Sequence, residues 1–217
     1  METIIIENAL LVWMKVEEYY NNVSDIYDSL YRDETSIKEN NIVKNILNNN
    51  INKHDKILDL GCGTGLFLEL YYNYNYIGID CSKKMVDIAK RKYPFNVFIN
   101  ADIDKGIDYP DKMFDVVVSL FSSASHFKNL QNTVNEANRI LCNNGYILLM
   151  VLSQKNGKYV AYNTRNAPKV LGNTDATTYT ENELKDIFKD FKDLKIYYLT
   201  ELKHTLVVEG KKCQNER

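Results

Sequence analysis

The chain has 217 residues, 45% of them hydrophobic, which is enough to bury one sizeable core. Its 27 basic and 29 acidic residues leave a formal charge of −2, so the chain offers no broad positive field to nucleic acid. The four cysteines lack the spacing of a zinc site, and the sequence shows no pattern of a signal peptide or membrane span. We therefore expect a cytoplasmic protein without a metal centre, a nucleic-acid partner or a membrane partner.

Two helices are predicted ahead of the first strand. The stretch VEEYYNNVSDIYDSLY (residues 16–31) has apolar residues at intervals of three and four, the pattern of an amphipathic helix. Ile37, Val43 and Leu47 continue this spacing and predict a second helix, which ends in an asparagine-rich turn before Lys53.

Short apolar runs then alternate with stretches of helical spacing. The runs are KILDL (56–60), YIGI (76–79), NVFI (96–99), FDVVVSLF (114–121) and YILLMVL (146–152). Helical spacing occupies residues 65–72, 82–92 and 126–141 between them. Strands that alternate with helices predict right-handed crossovers and a parallel sheet with helices on both faces.

The last third of the chain interrupts this alternation. Residues 153–179 are polar and too numerous for a simple connection, so we expect a functional loop or cap there. Thr180 and Glu183 have the spacing of a capping box at the start of a helix. The runs KIYYLTEL and TLVVEG predict an antiparallel hairpin at the edge of the sheet.

A glycine-rich run, ILDLGCGTG (residues 57–65), follows the first buried strand. Gly61, Gly63 and Gly65 lie where open α/β sheets bind ligands, and glycine lets the backbone approach a ligand closely. The run lacks the Gly-Lys-Ser/Thr of a phosphate-binding loop, and leucine stands at 66 and 68, where a dinucleotide fingerprint places its third glycine. A pyrophosphate ligand is therefore disfavoured, although this single motif does not exclude it.

Three acids lie at the ends of three successive strands. Asp59 lies in position to receive a cationic group, and Asp80 to accept hydrogen bonds from both hydroxyls of a ribose. Asp102 lies in position to accept from an exocyclic amino group such as that of adenine. A cation, a ribose and an adenine without phosphate describe S-adenosylmethionine.

These motifs, in this order, resemble the class I S-adenosylmethionine-dependent methyltransferase family. The resemblance rests on ILDLGCGTG, YIGIDCSKKMVDIAK, INAD, FDVVVSLFSSASHF and EANRILCNNGYILLMV, and it covers residues 16–210. It implies an α/β fold with a Rossmann-like, doubly wound sheet of seven mostly parallel strands, an antiparallel C-terminal hairpin and helices on both faces. It also implies an N-terminal extension with lid helices (1–50) and a core (51–217) with a cap insertion at about 153–179, one domain overall.

The resemblance further implies which residues contact the cofactor S-adenosylmethionine and its product S-adenosylhomocysteine. Around the methionine part they are Asp59, Gly61, Cys62, Gly63 and Gly65, joined by Tyr27 from the lid and by Ser119, where the segment after the fourth strand begins. Around the ribose and adenine they are Asp80, Cys81, Met85, Asp102 and Ile103. Cys62 is expected to be a small filler within the loop, because no basic neighbour is visible to activate its thiol.

The acceptor side is carried by the segment SLFSSASHF (119–127), which lines the reaction centre in the family. His126 is its only titratable side chain, with an ordinary pKa near neutral, and we predict it as a general base. The alternative is that His126 begins the following helix behind Ser125 as cap. We also predict that aromatic side chains contact the cationic sulfonium or a flat substrate: Tyr20, Tyr27, Tyr31, Tyr159, Tyr162 and Tyr179.

The function that the resemblance implies is methyl transfer to an oxygen or nitrogen atom of a small-molecule acceptor by in-line displacement. We expect a monomer or a homodimer. Two other interpretations stay open from the sequence, a regulatory protein that binds S-adenosylmethionine without chemistry and a nicotinamide-dependent oxidoreductase.

Overall fold

The computed structural model describes residues 3–6, 9–12, 14–154, 158–162, 164, 167–168 and 172–214. The chain starts with a two-stranded antiparallel hairpin of β1 (Thr3–Ile6) and β2 (Ala9–Val12). None of the helices in these described ranges is both long and apolar enough to cross a lipid bilayer.

The N-terminal helices differ from the prediction in one place. Helix α1 spans Val16–Val23, and a separate 3-10 helix spans Tyr27–Tyr31, where one continuous helix was expected. The break falls at Ser24, whose hydroxyl donates to the carbonyl of Asn21 at 3.0 Å, in a stretch of weak helix formers. The second predicted helix is confirmed as α2 (Glu34–Asn50), with Asp33 capping its start.

The remaining elements follow the predicted alternation. The strands are β3 (Ile57–Leu60), β4 (Tyr76–Asp80), β5 (Val97–Asn100), β6 (Phe114–Ser119), β7 (Leu141–Ser153), β8 (Tyr159–Tyr162), β9 (Thr174–Tyr179), β10 (Phe191–Tyr198) and β11 (Thr205–Lys212). The helices are α3 (Leu66–Leu70), α4 (Lys83–Lys92), α5 (Leu130–Ile140) and α6 (Glu181–Ile187). The capping box predicted for Thr180 and Glu183 is present at the start of α6.

Seven strands form the main path of the sheet in the order β10-β11-β7-β6-β3-β4-β5. Neighbours among β5, β4, β3, β6 and β7 are parallel, whereas β11 is antiparallel to both β7 and β10. The predicted mostly parallel sheet with a C-terminal hairpin at its edge is thereby confirmed. In the segment expected to be a loop or cap, β9 pairs in parallel with the end of β7 and β8 pairs with β9.

Each face of the sheet buries its own apolar core. Leu58, Val117 and Ile147 point to one face, where α5 and α6 pack. The alternate residues Ile57 and Val116 point to the other, where α2, α3 and α4 pack. The period of two in a strand divides each apolar run between two cores, which explains why these strands are apolar on both faces along most of their length.

Helix α1 lies across the carboxyl end of the sheet rather than on either face. Tyr19, Val23 and Tyr27 form a third apolar cluster with Leu66 and Met85. Asn21 fixes the same contact, because its Oδ1 accepts from the Ser82 hydroxyl at 2.8 Å and from the Lys84 backbone at 3.2 Å. The N-terminal segment therefore covers the strand ends where the glycine loop begins.

Candidate active site

The glycine loop adopts a backbone that only glycine accepts readily. Gly61, Gly63 and Gly65 have φ angles of 79°, 54° and 83°. A Cβ at Gly61 would lie 2.7 Å from the Ser123 Cβ, and one at Gly65 would lie 2.9 Å from the Tyr93 ring. Gly63 differs, because a Cβ added there would lie 3.8 Å from the Tyr27 ring, its nearest neighbour. A ligand can therefore approach the Gly63 backbone.

Asp80 binds this loop directly. One carboxylate oxygen accepts from the Gly63 backbone at 2.9 Å, and the other accepts from the Ser82 backbone at 2.8 Å. Burial raises the pKa of Asp80, and the two backbone donors oppose that rise. Each oxygen retains a lone pair, so the carboxylate has the acceptor capacity that two ribose hydroxyls need.

Asp59 lies beneath the loop and is 3% exposed. Its Oδ2 accepts from the Tyr76 hydroxyl at 2.7 Å, while its Oδ1 is buried with no hydrogen-bond partner in the described part of the chain. Burial raises the pKa of this carboxyl to about 7, with a smaller rise from Asp80. An orphaned buried acceptor fits a site that receives a cationic ligand group.

Cys62 has the environment of a small filler. It is 6% exposed, and a Cβ added at Gly78 would lie 2.7 Å from its sulfur. Burial holds the pKa of its thiol well above the usual value, so the thiol is not activated.

The residues predicted at the ribose and adenine follow Asp80 and β5. Cys81 is half-buried, and burial raises its pKa to about 12. Met85 is 1% exposed beneath α1. Asp102 follows the end of β5 and accepts from the Asp104 backbone at 3.1 Å, with half-buried Ile103 beside it. Asp102 therefore caps a turn at the strand end where its predicted ligand would lie.

The segment after β6 is strained and firmly held. Phe121 and Ser122 both have positive φ angles, 53° and 62°, an uncommon conformation for side chains of this kind. Ser123 donates to the Gly61 carbonyl at 3.1 Å, and Ser125 accepts from the Leu152 backbone at 2.8 Å. Ser119, just ahead, is fully buried, and its hydroxyl has no partner among the described residues.

His126 is held by hydrogen bonds on both ring nitrogens. Its Nδ1 lies 2.8 Å from the carbonyl oxygen of Asp175, and its Nε2 lies 3.0 Å from the Tyr20 hydroxyl. A carbonyl can only accept, so Nδ1 carries the proton and Nε2 accepts from Tyr20. The alternative place for His126 at a helix start is wrong, because α5 begins at Leu130 with Asn129 as its cap.

Burial moves the pKa of His126 away from its ordinary value near neutral. Desolvation lowers its pKa from 6.5 to about 4, against the opposing effect of the Asp175 carbonyl. The ring is therefore neutral at pH 7.

An arc of aromatic rings joins His126 to α1 and the 3-10 helix that follows it. The Tyr20 ring lies 5.5 Å from His126 and 6.1 Å from Tyr27, measured between centroids. Tyr31 continues the arc 5.1 Å from Tyr27, and their hydroxyls are 3.2 Å apart. On the other side of His126, the Tyr162 ring lies at 4.9 Å.

This arc borders a cavity of about 320 Å³, which we call the chamber, at the carboxyl ends of β6 and β7. Its apolar lining is Tyr31, Val43, Phe121, Met150, Leu152, Tyr162 and Leu199, and its polar lining is Glu39, Asn40, Ser122, His204 and Thr205. The volume and the mixed lining are those of a small-molecule site. A larger cavity of about 490 Å³ lies at the amino end of β7, beside Tyr146, and none of the predicted site residues lines it.

The aromatic residues predicted to face the ligand from residues 153–179 lie in different places. Tyr162 lines the chamber, whereas Tyr179 is 5% exposed in the sheet core beneath the Lys158 ammonium. The side chain of Tyr159 lies outside the described part of the structure. His204 is exposed and lies at the chamber.

Three further contacts at the site were missed by sequence reasoning. Asp28 accepts a short hydrogen bond from the Thr64 hydroxyl in the glycine loop and pairs with Lys92 of α4 at 2.7 Å. The Tyr19 hydroxyl accepts from the Thr164 backbone at 2.6 Å. These contacts join residues 16–31 to the glycine loop, to α4 and to Thr164, and nothing in local spacing indicates them.

Together these residues fit S-adenosylmethionine. The loop is free of side chains, Asp80 offers a ribose acceptor, and Asp59 has an unsatisfied oxygen beneath. A methyltransferase domain family matches residues 58–149, from the glycine-loop strand into β7. The chain belongs to the class I S-adenosylmethionine-dependent methyltransferase family. The cofactor of this methyltransferase is S-adenosylmethionine.

Relatives extend the match beyond that domain. An uncharacterised protein of Methanocaldococcus jannaschii, MJ1252, is 31% identical over 195 residues, which are 84% of this chain and 73% of that protein. A ubiquinone biosynthesis O-methyltransferase of Pelagibacter ubique is 30% identical over 115 residues, 50% of this chain and 46% of that enzyme. The second match thus spans less than half of the relative.

Solved structures share the fold at low sequence identity. One is an S-adenosylmethionine-dependent methyltransferase of Thermotoga maritima, described as a possible histamine N-methyltransferase. It superposes with a TM-score of 0.64 at 20% identity, covering 90% of this chain and 99% of that one. This likeness establishes the fold and leaves the acceptor to the site itself.

Proposed function

We propose that this methyltransferase transfers a methyl group to an oxygen or nitrogen atom of a small-molecule acceptor by in-line displacement. The observation that carries the proposal is the chamber, which lies at the ends of β6 and β7, beside the segment that Ser123 joins to the glycine loop. An acceptor in this chamber and a cofactor on the loop would be neighbours.

The chamber favours a small acceptor. Its volume of about 320 Å³ lies at the lower end of the range for small-molecule sites. The formal charge of −2 argues against nucleic acid as acceptor.

S-adenosylmethionine supplies an electrophilic methyl group on a cationic sulfur. In the proposed site the residues of the chain bind the two reactants, orient them and exclude water. Gly63 lets its backbone approach the ligand, and Asp80 accepts from the ribose. Tyr27 and the neighbouring rings cover the loop, and their electron-rich faces favour a nearby cation. Alignment of two bound reactants supplies much of the acceleration that such a transfer needs.

The proposal is tested by incubating the protein with methyl-deuterated S-adenosylmethionine and a fractionated small-molecule extract. Mass spectrometry then measures S-adenosylhomocysteine and products that carry the labelled methyl group. We expect the release of S-adenosylhomocysteine to depend on one or a few fractions, and we expect a labelled compound to form in them. Release that depends instead on a protein or RNA fraction contradicts a small-molecule acceptor.

A further inference from the structure

We infer that Tyr20 is a catalytic residue of this transfer, taking the proton of the acceptor on its phenolic oxygen while its own proton passes to Nε2 of His126. This inference rests on the proposed function and assigns the base at its site. It changes the role predicted for His126, which acts through Tyr20 instead of touching the acceptor.

The hydrogen bonds give the direction of proton movement. Because Nδ1 of His126 donates to the Asp175 carbonyl at 2.8 Å, the lone pair of Nε2 points to Tyr20. The Tyr20 hydroxyl donates to it at 3.0 Å, so both phenolic lone pairs face away from the imidazole. A hydroxyl whose proton is directed to a base is an acceptor for the next hydrogen-bond donor in line.

The position of Tyr20 is that of a group between loop and chamber. The aromatic arc runs from Tyr31 through Tyr27 and Tyr20 to His126 and Tyr162, and both of its ends line the chamber. Tyr27, one ring away from Tyr20, faces Gly63 of the cofactor loop. Tyr20 therefore lies in the middle of an arc that approaches the glycine loop through Tyr27 and lines the chamber through its two ends.

The proposed step balances in atoms and charge. The acceptor atom forms its bond to the methyl carbon as the carbon–sulfur bond breaks, and the sulfur keeps that electron pair. The acceptor becomes acidic as it gains positive charge, and its proton moves to the Tyr20 oxygen while the Tyr20 proton moves to His126. One positive charge thus passes from sulfur to imidazole, and the buried site keeps its net charge.

The surroundings keep Nε2 of His126 unprotonated before the transfer. The titratable or charged groups that face the pair are Tyr19, Tyr27, Tyr31, Tyr162 and Asp175. Burial keeps the imidazole neutral at pH 7, and it also raises the pKa of Tyr20, so the phenol keeps its proton until the acceptor yields one.

Kinetics on an acceptor fraction test the assignment. Tyr20→Phe removes one hydroxyl and keeps the ring, and we expect kcat to fall about a hundredfold or more, with S-adenosylmethionine affinity unchanged. His126→Gln offers an amide that can hold Tyr20 but cannot take a proton, so kcat is expected to fall similarly. Tyr74→Phe is the control, because Tyr74 is 74% exposed and precedes the amino end of β4, whereas Asp80 lies at the carboxyl end, and it should leave kcat unchanged.

The pH profile separates a catalytic role from a structural one. The wild-type kcat should be flat from about pH 6 to 9, because Nε2 is unprotonated throughout, whereas the Tyr20→Phe rate should rise with pH as hydroxide replaces the lost base. Equal kcat values and parallel profiles for wild type and Tyr20→Phe overturn the assignment alone. A wild-type protein that binds S-adenosylmethionine yet methylates no fraction overturns the proposed function and this assignment together.

A second readout needs no acceptor. The ¹⁵N shifts of His126 should show the tautomer protonated at Nδ1, and the Nε2 resonance should move in Tyr20→Phe but not in Tyr74→Phe. An Nε2 resonance that Tyr20→Phe leaves in place overturns the assignment, whatever the acceptor, because the hydrogen bond is then absent in solution.

Discussion

Asp59 makes the stability of the folded protein depend on pH. Burial raises its pKa from the ordinary 3.8 to about 7, although the Tyr76 hydrogen bond lowers it. The folded protein therefore holds a proton that the unfolded chain releases above about pH 4. The contribution of Asp59 to stability is fully present below the pKa that its carboxyl has in the unfolded chain, and it is lost as pH rises through about 7.

Asp59→Asn should remove this dependence while keeping an acceptor for Tyr76. In the ligand-free protein we expect the variant to gain stability over wild type as pH rises from about 5 to 8, by roughly 2–3 kcal/mol. Urea unfolding across that range measures the difference. A constant difference between the two proteins at every pH would refute the shifted pKa.

Gly61 is required by sterics as well as by backbone conformation. Gly61→Ala places a Cβ 2.7 Å from that of Ser123, whereas Gly106→Ala, also at positive φ, meets nothing within 4 Å. We expect the first variant to lose about 1–3 kcal/mol more than the second, the usual cost of overpacking. Adding Ser123→Gly to Gly61→Ala should recover that excess in denaturant unfolding, and no recovery would contradict the steric explanation.

The sequence indicates the loop residues better than it indicates the reaction centre. Gly61 and Asp80 follow strands whose apolar runs mark their ends, so local spacing places them at one edge of the sheet. Tyr20 and His126 are 106 residues apart, and their hydrogen bond depends on how α1 crosses the strand ends. Periodicity within one element carries no information about that crossing.

At the scale of elements, the buried strands were predictable and the cap strands were not. β3 and β6 are buried on both faces and read as continuous apolar runs. β9 (TDATTY) is polar in sequence, and its pairing depends on the end of β7, which extends to Ser153. The break between α1 and the 3-10 helix depends likewise on a local Ser24 hydrogen bond that periodicity does not show.

Residues 16–31 are joined to the core by Asp28, through Thr64 and Lys92, and Lys92 also pairs with Glu69 at 2.9 Å. Asp28→Ala should leave the Lys92 ammonium without this partner and raise hydrogen exchange of residues 16–31, while the sheet strands stay protected. Lys38→Ala is the control, since it breaks only an exposed pair on α2. Mass spectrometry of peptides measures the exchange of each segment. If residues 16–31 exchange at the same rate in Asp28→Ala as in wild type, Asp28 does not join them to the core.

At the scale of the molecule, topology gathers the site. Parallel strands bring their carboxyl ends to one edge, so Asp59, Asp80 and Asp102 meet there although the chain separates them. The chamber is harder to foresee, because α2, the segment after β6, β7, β8 and β11 each contribute lining residues. Its shape follows from the packing of distant segments, and the acceptor is therefore the least predictable part of the function.

Calorimetric titration with S-adenosylmethionine tests the central claim that the loop and Asp80 hold the cofactor. The wild type should bind S-adenosylmethionine and S-adenosylhomocysteine and give no heat with NAD⁺. Asp80→Ala should weaken binding by roughly 2 kcal/mol, about thirtyfold, because charged hydrogen bonds to ribose are lost. Asp108→Ala, at an exposed acid, should bind as wild type does. Equal affinity of folded Asp80→Ala and wild type, or binding of NAD⁺ in place of S-adenosylmethionine, would contradict the account.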